Sequence, residues 1–458
     1  MTGRTTDHVP QDASDAEDIG FAFHIASSAP SVPDAQAKYR LPLIQIMERA
    51  CPDLDDDETG NTEFKMTSSP LSVLTALLMS CAVAAGADAP TLDPAHDADH
   101  FGARDDMLFW SQAEKVAGFR NIDQLFPTRR VEASGFVLNL PDRNADLGAL
   151  AVRGAVGDLS LDAFFDESDM SGMLVLKNGE IVYERYGLGN GPDTRWMSFS
   201  VTKSVVSMLF GAAIADGHIE SVDMPVIAFL PELKGSGYEA ASIADILTMS
   251  SGVDWDETYS DPSSDVNRMP MDTPSLIAFL AEKGSVAKPG RRFNYNTAET
   301  NLAGAVLRAA TGRDLASYLS ETIWAPFGME ADAHWMLGGP DGGEIGGCCL
   351  SATLRDYGRL GLFALSDGVL PDGRPALAKG WMQTSTRPSY GYPGYGYQWW
   401  LRPDGGYQAE GIFGQGIYIY PQDDVVIAVQ SARAQADDEE DWALQYGMHE
   451  AVVSALRQ

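Results

Sequence analysis

A mixed α/β (α+β) fold is predicted, with one sheet drawn from two distant parts of the chain and a helical insertion between them. Three observations predict it. Met173-Leu174-Val175-Leu176-Lys177-Asn178-Gly179-Glu180-Ile181-Val182-Tyr183-Glu184 sets two β-prone runs on either side of Asn-Gly, the strongest short-range hairpin signal. Val201, Val205, Val206, Leu209, Phe210 and Ile214 then recur at helical spacing, and Asp216-Gly217 supplies the glycine that commonly ends a helix. Near the C-terminus, Gly396–Trp400, Ile417–Pro421 and Val425–Val429 read as consecutive strands. Strands at both ends of a helical middle imply a single sheet, expected from residues 165–200 and 385–458, with the insertion at about 205–380.

The N-terminal region has a different character. Residues 1–65 are acidic, carry Asp53-Leu54-Asp55-Asp56-Asp57-Glu58 and lack periodicity, as expected of a low-order extension lying upstream of a second start at Met66. Residues 66–87 resemble a signal peptide. The apolar stretch Leu71 to Ala87 is short for a membrane span but fits an h-region, and Ala85-Gly86-Ala87 offers a cleavage site. Leu78-Met79-Ser80-Cys81 is an imperfect lipoprotein box. The expected location is periplasmic or secreted, or cytoplasmic if that segment is unused and its helix packs on the domain instead. Residues 88–130 read as linker and lead-in, and 131–458 as the main domain.

The chain has 458 residues and a formal net charge of −33. So acidic a surface repels nucleic acid and anionic membranes, and steers cationic small molecules inward. Beyond a signal or lipid anchor, no stable membrane association is expected, and composition leaves the oligomeric state open. Four cysteines are too few for a disulfide scaffold, and the adjacent Cys348 and Cys349 are expected as two buried thiols. Neither a Gly-x-Ser-x-Gly elbow nor a His-Glu-x-x-His pair occurs. His96 and His100 lie in the acidic lead-in and read as solvated. No metal or organic cofactor is implied.

Chemistry enters at Ser200-Val201-Thr202-Lys203, where a polar turn runs into the helical pattern. Residues three apart on a helix share a face, so Ser200 Oγ and Lys203 Nζ can meet. A serine hydroxyl needs an adjacent base, and lysine serves as one only if burial or neighbouring cations lower its pKa. The first turn also presents unpaired backbone N–H groups to an anion. Ser285-Val286-Ala287-Lys288 has the same spacing but runs into Pro289, which disfavours helix before it. That second match reads as accidental.

Six motifs in order carry a resemblance: Ser198-Phe199-Ser200-Val201-Thr202-Lys203-Ser204, Met249-Ser250-Ser251-Gly252-Val253-Asp254-Trp255, Phe293-Asn294-Tyr295-Asn296-Thr297, Gly346-Gly347-Cys348-Cys349-Leu350-Ser351-Ala352-Thr353, Gly396-Tyr397-Gln398-Trp399-Trp400 and Gly411-Ile412-Phe413-Gly414-Gln415. From about Phe109 onward the chain resembles the serine β-lactamase and penicillin-recognising superfamily, class C-like, and within it the 6-aminohexanoate-dimer (nylon-oligomer) hydrolases. The resemblance implies a β-lactamase/transpeptidase-like fold: a five-stranded antiparallel sheet flanked by helices, plus a helical subdomain. It makes Ser200 the nucleophile, Lys203 its base and Tyr295 the proton shuttle, with oxyanion donors at the N–H groups of Ser200 and Ile412. Substrate contacts are implied at Tyr259, Thr297, Gly411 and Gln415.

Two departures bear on substrate. Thr297 stands where the family's Tyr-x-Asn has asparagine, and Ala409-Glu410-Gly411 replaces Lys-Thr-Gly. Without that lysine the carboxylate of a penicillin has no partner, so the expectation is an amidase or esterase of small linear substrates, uncharged or amine-bearing, working through an acyl-enzyme. Glu410 reads as a rim carboxylate. Two alternatives fit the same motifs: a β-lactamase or D-Ala-D-Ala carboxypeptidase, and a non-catalytic binding protein on the same fold.

Overall fold

The computed structural model describes residues 93–339 and 342–457. The readings of residues 1–65 and 66–87 lie outside the described residues. The strands run β1 (Thr128–Val131), β2 (Ala151–Gly154), β3 (Gly157–Ser160), β4 (Met170–Lys177), β5 (Glu180–Tyr186), β6 (Arg195–Met197), β7 (Ala333–Met336), β8 (Leu350–Thr353), β9 (Trp400–Leu401), β10 (Tyr407–Gly411), β11 (Gln415–Tyr420) and β12 (Val425–Ser431). The principal sheet has the order β5-β4-β12-β11-β10-β9, antiparallel throughout. It therefore does combine early and late segments. It has six strands rather than five, because Trp400–Leu401 pairs with β10 as a short edge.

Residue chemistry accounts for this placement. Asn178 and Gly179 both take positive φ, 53° and 76°, the geometry of a two-residue hairpin turn, and so join β4 to β5. Every residue of β4 from Met170 to Leu176 is buried, because helices cover both faces of the sheet. Leu174, Leu176, Ile417, Ile419, Val426 and Ala428 pack with Val201, Val205 and Leu209 of the helix Val201–Ala215. The alternate residues Met173, Val175, Tyr418, Val425 and Ile427 point the other way. They meet Phe164 and Phe165, together with Met448, Val452 and Val453 of the C-terminal helix Glu439–Leu456.

Three expectations need correction. The insertion is not purely helical. It contains β7 and β8, which pair with β1 and β6 in a second sheet of order β1-β7-β8-β6. Residues 93–130 are also more than linker. The helix Gln112–Arg120, opened by a Ser111–Glu114 capping box, buries Val116 and Phe119 with Trp110 against Trp196, Phe199 and Phe413. That apolar face, rather than any motif, draws the segment onto the domain. Cys348 and Cys349 are joined to each other, where two separate thiols are expected.

Candidate active site

Ser200 caps the helix Val201–Ala215, and Lys203 lies one turn on with its side chain 1% exposed. Lys203 Nζ is 2.9 Å from Ser200 Oγ, 3.1 Å from Thr297 Oγ1 and 2.7 Å from the Gly347 carbonyl. Burial brings the lysine down to about 8, although the charge of Glu257 pulls the other way. The hydrogen-bond directions follow from the partners. The Thr297 hydroxyl donates to the Glu257 carboxylate, so its lone pair accepts from Lys203. A carbonyl can only accept, which uses the second N–H of a neutral lysine. The amine's lone pair is left facing Ser200, as a base requires.

Glu257 organises this side of the site. Its carboxylate accepts from the Trp255 indole, the Thr297 N–H, the Thr297 hydroxyl and the Tyr259 hydroxyl. Nothing in the sequence singled it out, since it follows no periodicity and belongs to no motif beyond the loop it shares with Tyr259. Thr297 opens a helix, Thr297–Thr311, so its side chain is fixed within the first turn. It thus serves Lys203 directly, besides lining a cavity where a substrate could touch it.

The backbone expected to hold an oxyanion is assembled from farther away in sequence. No turn, loop or cap hydrogen bond among the described residues uses the N–H of Ser200 or of Ile412. At Gly411 a Cβ would sit 2.4 Å from the Ser198 carbonyl and 3.0 Å from the Ser200 nitrogen, so only glycine lets β10 approach the nucleophile this closely. Phe199, before Ser200, and Phe413, after Ile412, both have positive φ, 46° and 62°. Such backbone persists in large residues only where packing enforces it. Phe119 supplies that packing. Its ring centroid lies 4.9 Å from Phe199 and 5.6 Å from Phe413, which are 5.3 Å from each other.

Tyr295 faces Ser200 and stacks on Trp400, with ring centroids 5.6 Å apart and planes 11° from parallel. Lys203 Nζ is 5.4 Å from the centre of its ring. Burial raises the phenol's pKa and the Ser200 contact works against that rise, so the phenol stays protonated at neutral pH. Two cavities meet at the serine. The larger, about 490 Å³, is lined by Met107, Met269, Met271, Met336, Phe126 and Ile345 among others. The smaller, about 250 Å³, is lined by Glu257, Tyr295, Trp400, Glu410, Asp437 and Trp442. Ser200, Tyr259 and Ile412 line both.

Ser200, Lys203, Tyr295, Tyr259, Thr297, Gly411 and Ile412 are thus brought together. Gln415 is not. It is 2% exposed, and its amide bonds to the Trp196 indole, the Ser431 carbonyl and the Ile412 and Phe413 carbonyls. A side chain so fully engaged fastens the Ile412–Phe413 loop from behind and has no group left to offer a substrate. Glu410 is half-buried in the wall of the smaller cavity, and burial pushes its carboxyl up to about 7 against hydrogen bonds from Tyr446 and Tyr418.

The chain is similar to several known proteins. The beta-lactamase family profile matches residues 160–447. The 6-aminohexanoate-dimer hydrolase of Paenarthrobacter ureafaciens is 29% identical over 407 residues, covering 81% of this chain and 95% of that protein. Esterase EstB of Burkholderia gladioli is 29% identical over 210 residues, covering 40% of this chain and 51% of the esterase. A Bacillus anthracis structure assigned as a 6-aminohexanoate-dimer hydrolase superposes with a TM-score of 0.68 at 22% identity, over 75% of this chain and 95% of that one. At that identity the likeness is one of fold.

Proposed function

The chain belongs to the beta-lactamase family, and on that premise we propose a serine hydrolase that cleaves amide or ester bonds of small linear substrates through an acyl-enzyme on Ser200. Lys203 takes the Ser200 proton as Oγ attacks the carbonyl carbon. The N–H groups of Ser200 and Ile412 hold the oxyanion, each such donor being worth ~2.7–4 kcal/mol at the transition state. Tyr295 gives its proton to the departing nitrogen or oxygen and draws a replacement from Lys203. Water then attacks the ester on Ser200, with the lysine again acting as base.

One observation carries this reading. The partners of Lys203 are arranged so that, when neutral, its lone pair has only Ser200 to face. The relatives named above, an aminohexanoate-dimer hydrolase and an esterase, favour amide or ester bonds as the class. Ala409 stands in place of the lysine that would attract a β-lactam carboxylate, with the acidic Glu410 beside it, which disfavours the β-lactamase alternative and predicts poor turnover of nitrocefin. A fluorophosphonate probe tests the assignment: the label is expected on Ser200 and absent from Ser200→Ala. Failure of the folded wild-type chain to label would support the non-catalytic alternative.

A further inference from the structure

The two cavities at Ser200 differ in chemistry, and Tyr295 decides which part of a substrate enters each. Tyr295 lines the smaller cavity and is absent from the lining of the larger. As the group that protonates the leaving atom, it has to stand beside that atom. The leaving group therefore occupies the smaller cavity, and the acyl chain, on the other side of the carbonyl, occupies the larger one.

The linings then state what each half is. Four methionines, Met107, Met269, Met271 and Met336, give the larger cavity a soft apolar wall that adapts to a flexible chain. The smaller cavity has carboxylates at Glu257, Glu410 and Asp437, aromatic rings at Tyr295, Trp400 and Trp442, and no Lys, Arg or His in its described lining. Glu257 is consumed by its four internal donors. Glu410 is not. Oε1 accepts from Gln408 and Tyr446, the Tyr418 hydroxyl also faces the carboxylate, and the group still lines the cavity. Asp437 accepts the Trp442 indole proton through Oδ1, at 2.8 Å. Arg433 lies behind Glu410, outside this lining, and holds Gln445.

We propose that the enzyme prefers substrates with an apolar acyl chain and a leaving group that carries an ammonium, the acyl chain entering the methionine-lined cavity and the cation sitting between Glu410, Asp437 and the flanking rings. The proposal rests on the assignment of Ser200 and Tyr295 above and adds a polarity to it. An ammonium over a tryptophan or tyrosine face beside a carboxylate is a standard cation cage. A leaving group that ends in a carboxylate would meet two carboxylates and no compensating cation. Amides of diamines and esters of amino alcohols are the substrate classes that satisfy both cavities. Bond changes are those of ordinary acyl transfer: the C–N or C–O bond breaks, the departing atom takes the Tyr295 proton, and Ser200 keeps the acyl group until water releases it.

The test holds the acyl group constant and varies the alcohol: octanoyl esters of choline, of ethylene glycol and of glycolate. A kcat/KM higher for the choline ester than for the neutral ester by roughly tenfold or more is expected from one cation–π contact and one ion pair, with the glycolate ester slowest. Glu410→Gln keeps the acceptor for Tyr446 and should collapse the ratio of choline to neutral ester. Met269→Trp, which narrows the other cavity, should penalise octanoylcholine relative to acetylcholine. Ser200-dependent turnover with no preference for the cationic ester, or with a preference for glycolate, would overturn the polarity while leaving the nucleophile intact. Turnover that persists in Ser200→Ala would overturn the catalytic assignment and this proposal with it.

Discussion

Two stretches of this chain spell serine, two residues, lysine, and only one makes a site. At Ser200-Val201-Thr202-Lys203 the backbone is helical from Val201, the lysine is buried and its Nζ touches the serine hydroxyl. At Ser285-Val286-Ala287-Lys288 there is no helix, and both residues are exposed. There the serine hydroxyl donates to the carbonyls of Gly252 and Ala287. Identical spacing gives a buried, hydrogen-bonded pair in one place and a loop fastening in the other. The difference is physical: a helix is needed to set the geometry, and a dry surrounding is needed to lower the lysine.

That comparison can be broken directly. Ser200→Ala should lower kcat on any ester or amide substrate by on the order of 10⁴-fold or more, whereas Ser285→Ala should leave it unchanged. Lys203→Met, which keeps the volume and removes the base, should cost ~10²–10⁴-fold, and Lys288→Met nothing measurable. Steady-state kinetics on one activated ester distinguish all four. Equal losses at the two serines would mean that the helix is irrelevant.

The oxyanion frame sharpens the comparison, since the Ser285 region has no counterpart to it. Phe119→Leu loosens the ring that pins both Phe199 and Phe413. The expected result is a loss in kcat of up to ~10²-fold with little change in KM, because the donors are displaced rather than removed. A matching rise in KM with normal kcat would place Phe119 in binding instead. A smaller effect is expected at Glu257. Its charge raises Lys203, so Glu257→Gln lowers that pKa further. The acidic limb of the kcat/KM profile should then move to lower pH, whereas simple misfolding would lower the plateau without moving the limb.

The sequence made the local parts of this arrangement legible and left the assembled parts hidden. Ser200 and Lys203 are neighbours on one helical turn, and the Asn178-Gly179 hairpin is set by two residues, so spacing alone exposes them. Tyr295, Gly411 and Ile412 are legible only through motif resemblance, because their partners lie far away in the chain. Glu257 and Phe119 left no trace of that kind. Glu257 matters through four donors contributed by Trp255, Tyr259 and Thr297, and Phe119 through two rings more than two hundred residues apart in the sequence. Gln415 shows the reverse error: it belongs to a matching motif, yet its amide is spent inside the protein. The strands β7 and β8 leave little sequence signal for a related reason: each is four residues long, and they pair with β1 and β6 across long sequence gaps.

The central claim is that a buried, unprotonated Lys203 activates Ser200. The rate of fluorophosphonate labelling of Ser200 against pH measures it most directly. Because the base form is the reactive one and Lys203 is held at about 8, labelling should rise about tenfold per pH unit below that value and level off above it. The rise should vanish in Lys203→Met. A labelling rate that is flat from pH 5 to pH 9, or that follows the same curve without Lys203, would contradict the account.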